Sequence, residues 1–210
     1  MNLEDLAAAI QRGDARAAQT LTASLVDGGT TAADILNRAL LPAMSAVGAR
    51  FRDREIFLPD VLLTARAMKA SMRILDPLLL RDAVPHAGTI VLGTVRGDLH
   101  DIGKNLVSVM LQGAGFKVID LGTDVEADAF IDAAVDNDAK VIGMSALLTT
   151  TMIAMEDVVR RIDERGLRGR IRTIVGGAPL NEAFAEEIGA DGYAWDAVTA
   201  VEHFRAVVAR

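Results

Sequence analysis

One short stretch of the sequence combines an imidazole with carboxylates. The hexapeptide Asp98–Gly103 (DLHDIG) places His100 between Asp98 and Asp101. In an irregular loop, Asp98 can accept the proton of one imidazole nitrogen, which leaves the other nitrogen free to bind a metal. A histidine in a loop is more often an ordinary surface residue, so this prediction depends on the elements that position His100.

The first part of the chain has helical periodicity only. Apolar residues at helical spacing predict four amphipathic helices, which cover about 3–13, 14–26, 35–47 and 59–75. Pro42 lies inside the third of these, and Pro59 is a suitable first-turn residue for the fourth. Short connections between such helices are typical of an antiparallel bundle. We therefore predict an N-terminal four-helix bundle as a domain of residues 1–84.

From Thr89 onward, strand and helix patterns alternate, after a linker at about 83–88. We predict strands at 89–95, 117–120, 141–145, 171–175 and 192–194, and helices near 103–114, 126–137, 151–165, 181–188 and 196–208. Such alternation implies an α/β domain with a doubly wound, five-stranded parallel sheet that is covered on both faces. We assign this second domain to residues 85–210.

The unusual residues follow the predicted strands. Ligands of open parallel sheets bind beyond the carboxyl ends of the strands, so we expect the loops after the first, third, fourth and fifth strands to form one site. These loops are 96–103, 145–151, 176–179 and 193–197. Their glycines and small residues allow a bulky, flat ligand to approach the backbone. The sequence has neither a G-x-G-x-x-G nor a P-loop motif, so the usual phosphate cradles of dinucleotides and nucleoside triphosphates are missing.

Composition excludes several classes of function. The net charge of −7 argues against a general nucleic-acid binder. The chain has no cysteine, so disulfides, thiolate metal sites and cysteine nucleophiles are excluded. The first residues lack the basic start and apolar stretch of a signal peptide, and no apolar stretch is long enough for a bilayer. We expect a cytoplasmic protein without nucleic-acid or membrane partners.

The segment Gly93–Leu121, GTVRGDLHDIGKNLVSVMLQGAGFKVIDL, resembles the corrinoid proteins of three-component methyltransferase systems and the cobalamin module of methionine synthase. The S-x-L element at 145–147 and the Gly176-Gly177 pair follow in the family's order. The segment 51–59, FRDREIFLP, is similar to the family's F-x-x-G-x-x-F-L-P cap segment, although Arg54 replaces the usual glycine. The resemblance covers nearly the whole chain and implies a helical cap domain with a flavodoxin-like cobalamin-binding domain.

The resemblance also implies a role for individual residues. His100 would be the metal ligand: it would displace the benzimidazole base of a cobalamin, leaving the cofactor base-off, and bind cobalt from below. Asp98 and Thr151 would complete a catalytic relay with His100, and Phe51 and Leu58 would cover the methyl group on the upper face. The other implied cofactor-binding residues are Gly97, Leu99, Asp101, Ile102 and Gly103 around the ligand, and Ser145, Leu147, Thr149, Gly176, Gly177 and Ala178 along the tunnel for the displaced tail, with Ala197 near it.

The function implied is carriage of a methyl group in one-carbon metabolism. A substrate-specific methyltransferase would place the methyl group on cobalt to give a methylcobalamin-type cofactor. A second methyltransferase would pass it to tetrahydrofolate or a thiol, and a reductive activator would be a further partner. The chain has no zinc-binding Cys/His cluster and no spare acid–base pair, so we expect a subunit that is not an enzyme by itself. The alternative is a cobalamin-binding sensor without a role in methyl transfer.

Overall fold

The computed structural model describes residues 2–82, 84 and 86–208, and the chain divides into two compact units, Met1–Pro85 and His86–Arg210. Two residues of the predicted linker, Ala83 and Pro85, lie outside the described residues. Within the described ranges, no helix is both long enough and apolar enough to cross a membrane.

The first unit is built from helices alone. They are α1 (Leu3–Gln11), α2 (Ala15–Asp27), α3 (Ala32–Ile35), α4 (Leu41–Arg52) and α5 (Leu58–Arg81). A π-helical turn, Leu36–Leu40, runs directly from α3 into α4, so these segments form one helical rod. Pro42 lies just after this turn inside the rod, where its missing N–H removes one of the helical hydrogen bonds to the preceding turn. The four predicted helices are confirmed, but the third is longer than predicted and contains a turn that its apolar spacing did not indicate.

The core of the helical unit is made by the apolar faces of its helices. Leu6, Ile10 and Leu75 are fully buried. A polar pair joins two of the helices, since Thr22 Oγ1 of α2 lies 2.9 Å from Ser71 Oγ of α5, and both residues are fully buried. Because a buried hydroxyl without a partner is costly, this pair fixes the register of α2 against α5.

Just beyond the end of helix α4, Arg54 has a backbone conformation that favours glycine. Arg54 has φ 61°, and its N–H donates to Phe51 O at 3.1 Å. The N–H of Glu55 donates to Arg50 O at 2.9 Å, which completes a Schellman motif. Arginine adopts this left-handed conformation with a steric cost from its Cβ.

The second unit contains a parallel sheet whose strands are β1 (Thr89–Thr94), β2 (Lys117–Asp120), β3 (Val141–Ser145), β4 (Arg172–Gly176) and β5 (Gly192–Ala194). Their order is β2-β1-β3-β4-β5, and each neighbouring pair is parallel. The end of the predicted linker belongs to this unit, because Ala87 N donates to Gly115 O and Gly88 O accepts from Lys117 N, both at 2.9 Å.

Helices cover both faces of the sheet: α6 (Ile102–Gly113), α7 (Ala127–Asp136), α8 (Thr149–Met152), α9 (Ala154–Glu164), α10 (Glu182–Glu187) and α11 (Ala197–Val208). Two strand glycines make room for aromatic rings on opposite faces. A Cβ on Gly93 would lie 2.7 Å from the ring of Phe130 in α7, and one on Gly143 would lie 2.8 Å from the ring of Phe204 in α11. The predicted doubly wound α/β fold is therefore confirmed. The prediction of a single helix at 151–165 is wrong, because this segment contains two helices, α8 and α9, which are separated at Ile153.

Replacing Arg54 by glycine should stabilise the helical unit. Arg54→Gly keeps the Schellman hydrogen bonds and removes the steric cost of a left-handed Cβ, with a smaller loss from the greater freedom of the unfolded chain. We expect a net gain of about 0.5–1 kcal/mol in the free energy of unfolding. Urea unfolding followed by circular dichroism measures this change.

The matched control is Ser45→Gly, which introduces the same residue at an exposed position in the right-handed interior of α4. We expect it to destabilise the unit by about 0.5 kcal/mol, because glycine has low helix propensity. A lower midpoint for Arg54→Gly than for the wild type would contradict the argument from backbone strain.

Candidate functional site

The sheet order brings two loops together. Strands β1 and β3 are neighbours, with Thr94 paired to Ser145 at their carboxyl ends, whereas β2 lies on the other side of β1. The chain therefore leaves β1 and β3 in diverging directions, which opens a crevice at this point of a doubly wound sheet. The loop after β1 carries Asp98 and His100, and the loop after β3 leads into α8.

The side chain of Asp98 is fully buried between these loops and accepts hydrogen bonds at both oxygens. Oδ1 accepts from the backbone N–H of His100 at 3.0 Å and from His100 Nδ1 at 2.7 Å. Oδ2 accepts from Leu147 N–H at 2.7 Å, Leu148 N–H at 3.3 Å and Thr151 Oγ1 at 2.7 Å. The structure thus joins His100, Asp98 and Thr151 in one hydrogen-bonded group.

Asp98 remains ionised in this setting. Burial of its carboxyl group by itself raises the pKa, but hydrogen bonds from His100, Leu147 and Thr151 outweigh burial and hold the pKa far below its ordinary value. An ionised carboxylate can only accept, so His100 must carry its proton on Nδ1. The lone pair then lies on Nε2, the nitrogen that a metal could bind.

The imidazole of His100 is fixed at one edge and open at the other. Its side chain is 52% exposed, and no residue in the described part of the chain forms a hydrogen bond with Nε2. The backbone is held as well, since Thr94 Oγ1 donates to His100 O at 2.9 Å. Nε2 is therefore held in a defined orientation, from which it can donate its lone pair to a metal.

Apolar and small residues lie on both sides of His100 in the sequence. Leu99 and Ile102 are 73% and 71% exposed, which is unusual for leucine and isoleucine beside a polar loop. Gly97 has φ +82°, so its backbone conformation favours glycine. Asp101 is exposed and accepts from Asn105 Nδ2 at 2.9 Å, as a surface residue of α6 would.

Close packing within the fold explains the glycines at the end of β4. A Cβ on Gly176 would lie 2.9 Å from Ala194 O, and one on Gly177 would lie 1.9 Å from Ala146 O. Both residues therefore allow the ends of β3, β4 and β5 to approach closely. Of the other residues predicted to line a tunnel, Leu147, Thr149 and Ala178 are exposed, Ser145 is half-buried beside Gly176 in the strand register, and Ala197 is buried at the start of α11.

Phe51 and Leu58 belong to the helical unit, where each is half-buried, at the end of α4 and the start of α5 respectively. Their role over the upper face of a cofactor stays a prediction.

Comparison with known proteins identifies the family. The profile described as "B12 binding domain" matches residues 88–202, and a second profile with that description matches residues 3–76. The chain is 42% identical over 203 residues to a corrinoid protein of Desulfitobacterium hafniense, with 95% of this chain and 94% of the relative covered. It is 46% identical over 168 residues to dimethylamine corrinoid protein 3 of Methanosarcina acetivorans, with 80% and 79% covered. The chain belongs to the family of B12-binding corrinoid proteins.

A solved relative has the same architecture. The methanol:cobalamin methyltransferase complex MtaBC from Methanosarcina barkeri matches with a TM-score of 0.89 and 30% identity, and the match covers 99% of this chain and 79% of that one. The family resemblance inferred from the sequence is therefore confirmed.

The residues of this corrinoid protein fit such a cofactor. A corrinoid brings its equatorial nitrogen ligands in its own ring, so the protein needs to supply a single axial ligand, and His100 Nε2 can do so. Gly103 provides a second indication. It lies in the first turn of α6 without a positive φ, and a Cβ built on it meets nothing within 4 Å. Neither backbone conformation nor packing requires glycine there, and its lack of a side chain would allow a large flat ring to approach the backbone.

The end of β2 and the loop after it also carry charged residues that were not among the predicted site residues. Lys104 of α6 is only 3% exposed, and its Nζ lies 2.6 Å from both carboxylate oxygens of Asp120 at the end of β2. Asp124, four residues further on, bonds to the loop that carries Asp98. Both aspartates lie at or just beyond the carboxyl end of β2, so the position of ligand sites in parallel sheets is the signal that indicates them.

Substituting Gly103 separates its effect on the fold from its effect on the ligand. Gly103→Ala should raise the stability of the cofactor-free protein by about 0.5–1 kcal/mol, because alanine is the better helix former. It should weaken the binding of cobalamin roughly tenfold, because the added methyl group enters the space beside His100. Urea unfolding and a spectroscopic cobalamin titration measure the two effects.

Gln112→Ala provides the control, as an alanine substitution at an exposed position near the far end of α6. We expect it to bind cobalamin like the wild type. Unchanged binding by Gly103→Ala would show that the cofactor does not approach this position.

Proposed function

We propose that this chain binds a corrinoid in the base-off form, with His100 Nε2 as the lower axial ligand of cobalt, and carries a methyl group between two methyltransferases. The supporting observation is the buried Asp98 carboxylate, whose hydrogen bonds fix the proton on Nδ1 of His100 and turn the lone pair of Nε2 outward. A bound corrinoid supplies a cobalt centre that can accept and release a methyl group.

Asp98 and Thr151 both support His100 in this proposal. Asp98 orients the imidazole and stabilises the positive charge that develops when His100 donates to a metal or takes up a proton on Nε2. Thr151 donates to Asp98 Oδ2 and so stabilises the carboxylate on the side away from the imidazole. Because the three groups are directly bonded, proton uptake belongs to the group rather than to one residue.

The displaced tail of the cofactor would lie at the carboxyl ends of β3 and β4. Ser145 and Gly176 are paired there, and Gly177 follows directly. Both glycines are half-buried at this edge, so their backbone is partly accessible to a nucleotide-like tail. Leu147, Thr149 and Ala178 are exposed beside it.

A carrier accounts for the residues better than a self-sufficient enzyme does. The described residues include no cluster of three or more His, Asp or Glu side chains that could hold a substrate-activating metal. The names of the relatives point to methylated amines and methanol as donors. We propose that one partner is a methyltransferase specific for such a donor, that a second serves a tetrahydrofolate or thiol acceptor, and that a reductive activator restores the cofactor after oxidation.

Ligation by His100 can be tested by electron spin resonance. We expect the cobalamin-loaded protein, reduced to cobalt(II), to show a triplet splitting from one axial nitrogen. Labelling the protein's histidine with ¹⁵N should convert the triplet into a doublet, because the nitrogen belongs to the protein and not to the cofactor's own base. His100→Ala should lose the protein-derived signal.

His86→Ala is the matched control, since His86 is an exposed histidine of the same unit. It should retain the wild-type spectrum. A wild-type spectrum that does not change with ¹⁵N-histidine would overturn the proposed ligation.

Methyl carriage requires a transfer assay. The reduced, cobalamin-loaded protein would be mixed in turn with methyltransferases for dimethylamine, trimethylamine and methanol. With one of these methyltransferases, we expect the protein to take up one methyl group per bound corrinoid, measured as loss of an equal amount of donor. Addition of an acceptor methyltransferase and its acceptor should then allow continued consumption of the donor. His100→Ala, loaded to the same extent, should turn over more slowly. Transfer with none of the donors, despite normal cofactor binding, would favour the sensor.

A further inference from the structure

A second segment runs beside the loop that carries the proposed ligand. Val125 pairs with Val95 in a parallel bridge, and Val125 N donates to Thr94 O at 3.0 Å. The bridge continues the pairing of β1 beyond the end of its strand. The loop after β2 therefore supports the loop after β1 on the side opposite to β3.

Asp124 forms two hydrogen bonds with the loop that carries Asp98 and His100. Its Oδ1 accepts from Gly97 N–H at 2.7 Å, and its own N–H donates to Asp98 O at 3.0 Å. One residue thus bonds to two consecutive residues of the loop, once through its side chain and once through its backbone. Gly97 and Asp98 are held in place immediately before Leu99 and His100.

The backbone of Asp124 is in the left-handed region, with φ 55°. Few residues other than glycine adopt this conformation, and aspartate and asparagine are among those that do so most readily. Glycine would adopt this conformation with less backbone strain, so the presence of aspartate indicates that its carboxylate has a role. The carboxylate is exposed, and its bond to Gly97 N–H is short and assisted by charge.

We propose that Asp124 is a positioning residue for the cobalt ligand: it fixes the peptide units at 97–98 so that Asp98 can hold His100 in its binding orientation. The inference rests on the proposed ligation by His100 and deepens it. Leu147, Leu148 and Thr151 hold the Asp98 carboxylate from the side of β3. Asp124 holds its backbone from the side of β2, so the position of Asp98 is determined from both directions.

Two substitutions separate the side chain from the backbone. Asp124→Asn keeps an oxygen acceptor for Gly97 N–H and tolerates the left-handed conformation. Asp124→Gly suits that conformation and keeps the backbone N–H, and it removes only the acceptor. A purely conformational role predicts that glycine is the better replacement, whereas a positioning role predicts that asparagine is.

The readouts are the fraction of cobalt(II) that shows a histidine nitrogen in the spin resonance spectrum, and the affinity for diaquacobinamide. Cobinamide lacks the nucleotide tail, so its axial nitrogen must come from the protein. We expect Asp124→Gly to lower the nitrogen-coordinated fraction and to weaken cobinamide binding about five- to tenfold, which corresponds to the loss of one hydrogen bond. Asp124→Asn should stay within about twofold of the wild type.

Glu126→Gln is the matched control. Glu126 lies two residues away, and its exposed carboxylate forms an ion pair with Arg96 at 3.3 Å. Removal of that charge should leave both readouts unchanged. Wild-type values for Asp124→Gly, or equal losses for Glu126→Gln, would overturn the positioning role alone. A wild-type protein without histidine coordination would overturn both this inference and the proposed ligation.

Discussion

The arrangement of the site depends on one buried charge. An ionised carboxylate away from water costs several kcal/mol unless hydrogen bonds compensate for it. The donors to Asp98 come from its own loop, from the loop after β3 and from α8. The last two segments are adjacent to each other but far from Asp98 in the sequence, and they meet its loop because β1 and β3 are neighbours in the sheet. The hydrogen bonds to this one carboxylate therefore hold the loops together at the point where the strand order reverses.

The same charge determines the chemistry that the site can offer. Since Asp98 accepts from Nδ1, Nε2 stays without a hydrogen-bond partner among the described residues, and His100 is next in sequence to the exposed Leu99 and close to the exposed Ile102. An imidazole nitrogen is a common ligand of transition metals in proteins. Membership in the B12-binding family and the unpartnered Nε2 therefore agree in favouring a cofactor that carries a metal.

The sequence predicted the parts of the molecule that depend on local pattern. Strands β2, β3 and β5 have the predicted bounds, because alternating helices and short apolar runs define a parallel sheet. The break at Ile153 and the π-helical turn before Pro42 were not predicted, since apolar spacing does not register a local change in helical hydrogen bonding. The roles of Lys104 and Asp124 depend on strand order, which places β2 beside β1 and is not encoded in any one segment.

The hydrogen bonds of Asp98 also allow the imidazole to change its state without loss of the site. If the bond to Nδ1 were broken, Oδ1 would still accept from the backbone N–H of His100, and Oδ2 would keep its three donors. The carboxylate is thus anchored independently of the ring that it orients. In the proposed methyl carrier, this anchoring would let His100 bind a metal at one stage and release it at another while the loop stays folded. Asp124 extends the same principle to the backbone, since it holds Gly97 and Asp98 without contacting the imidazole.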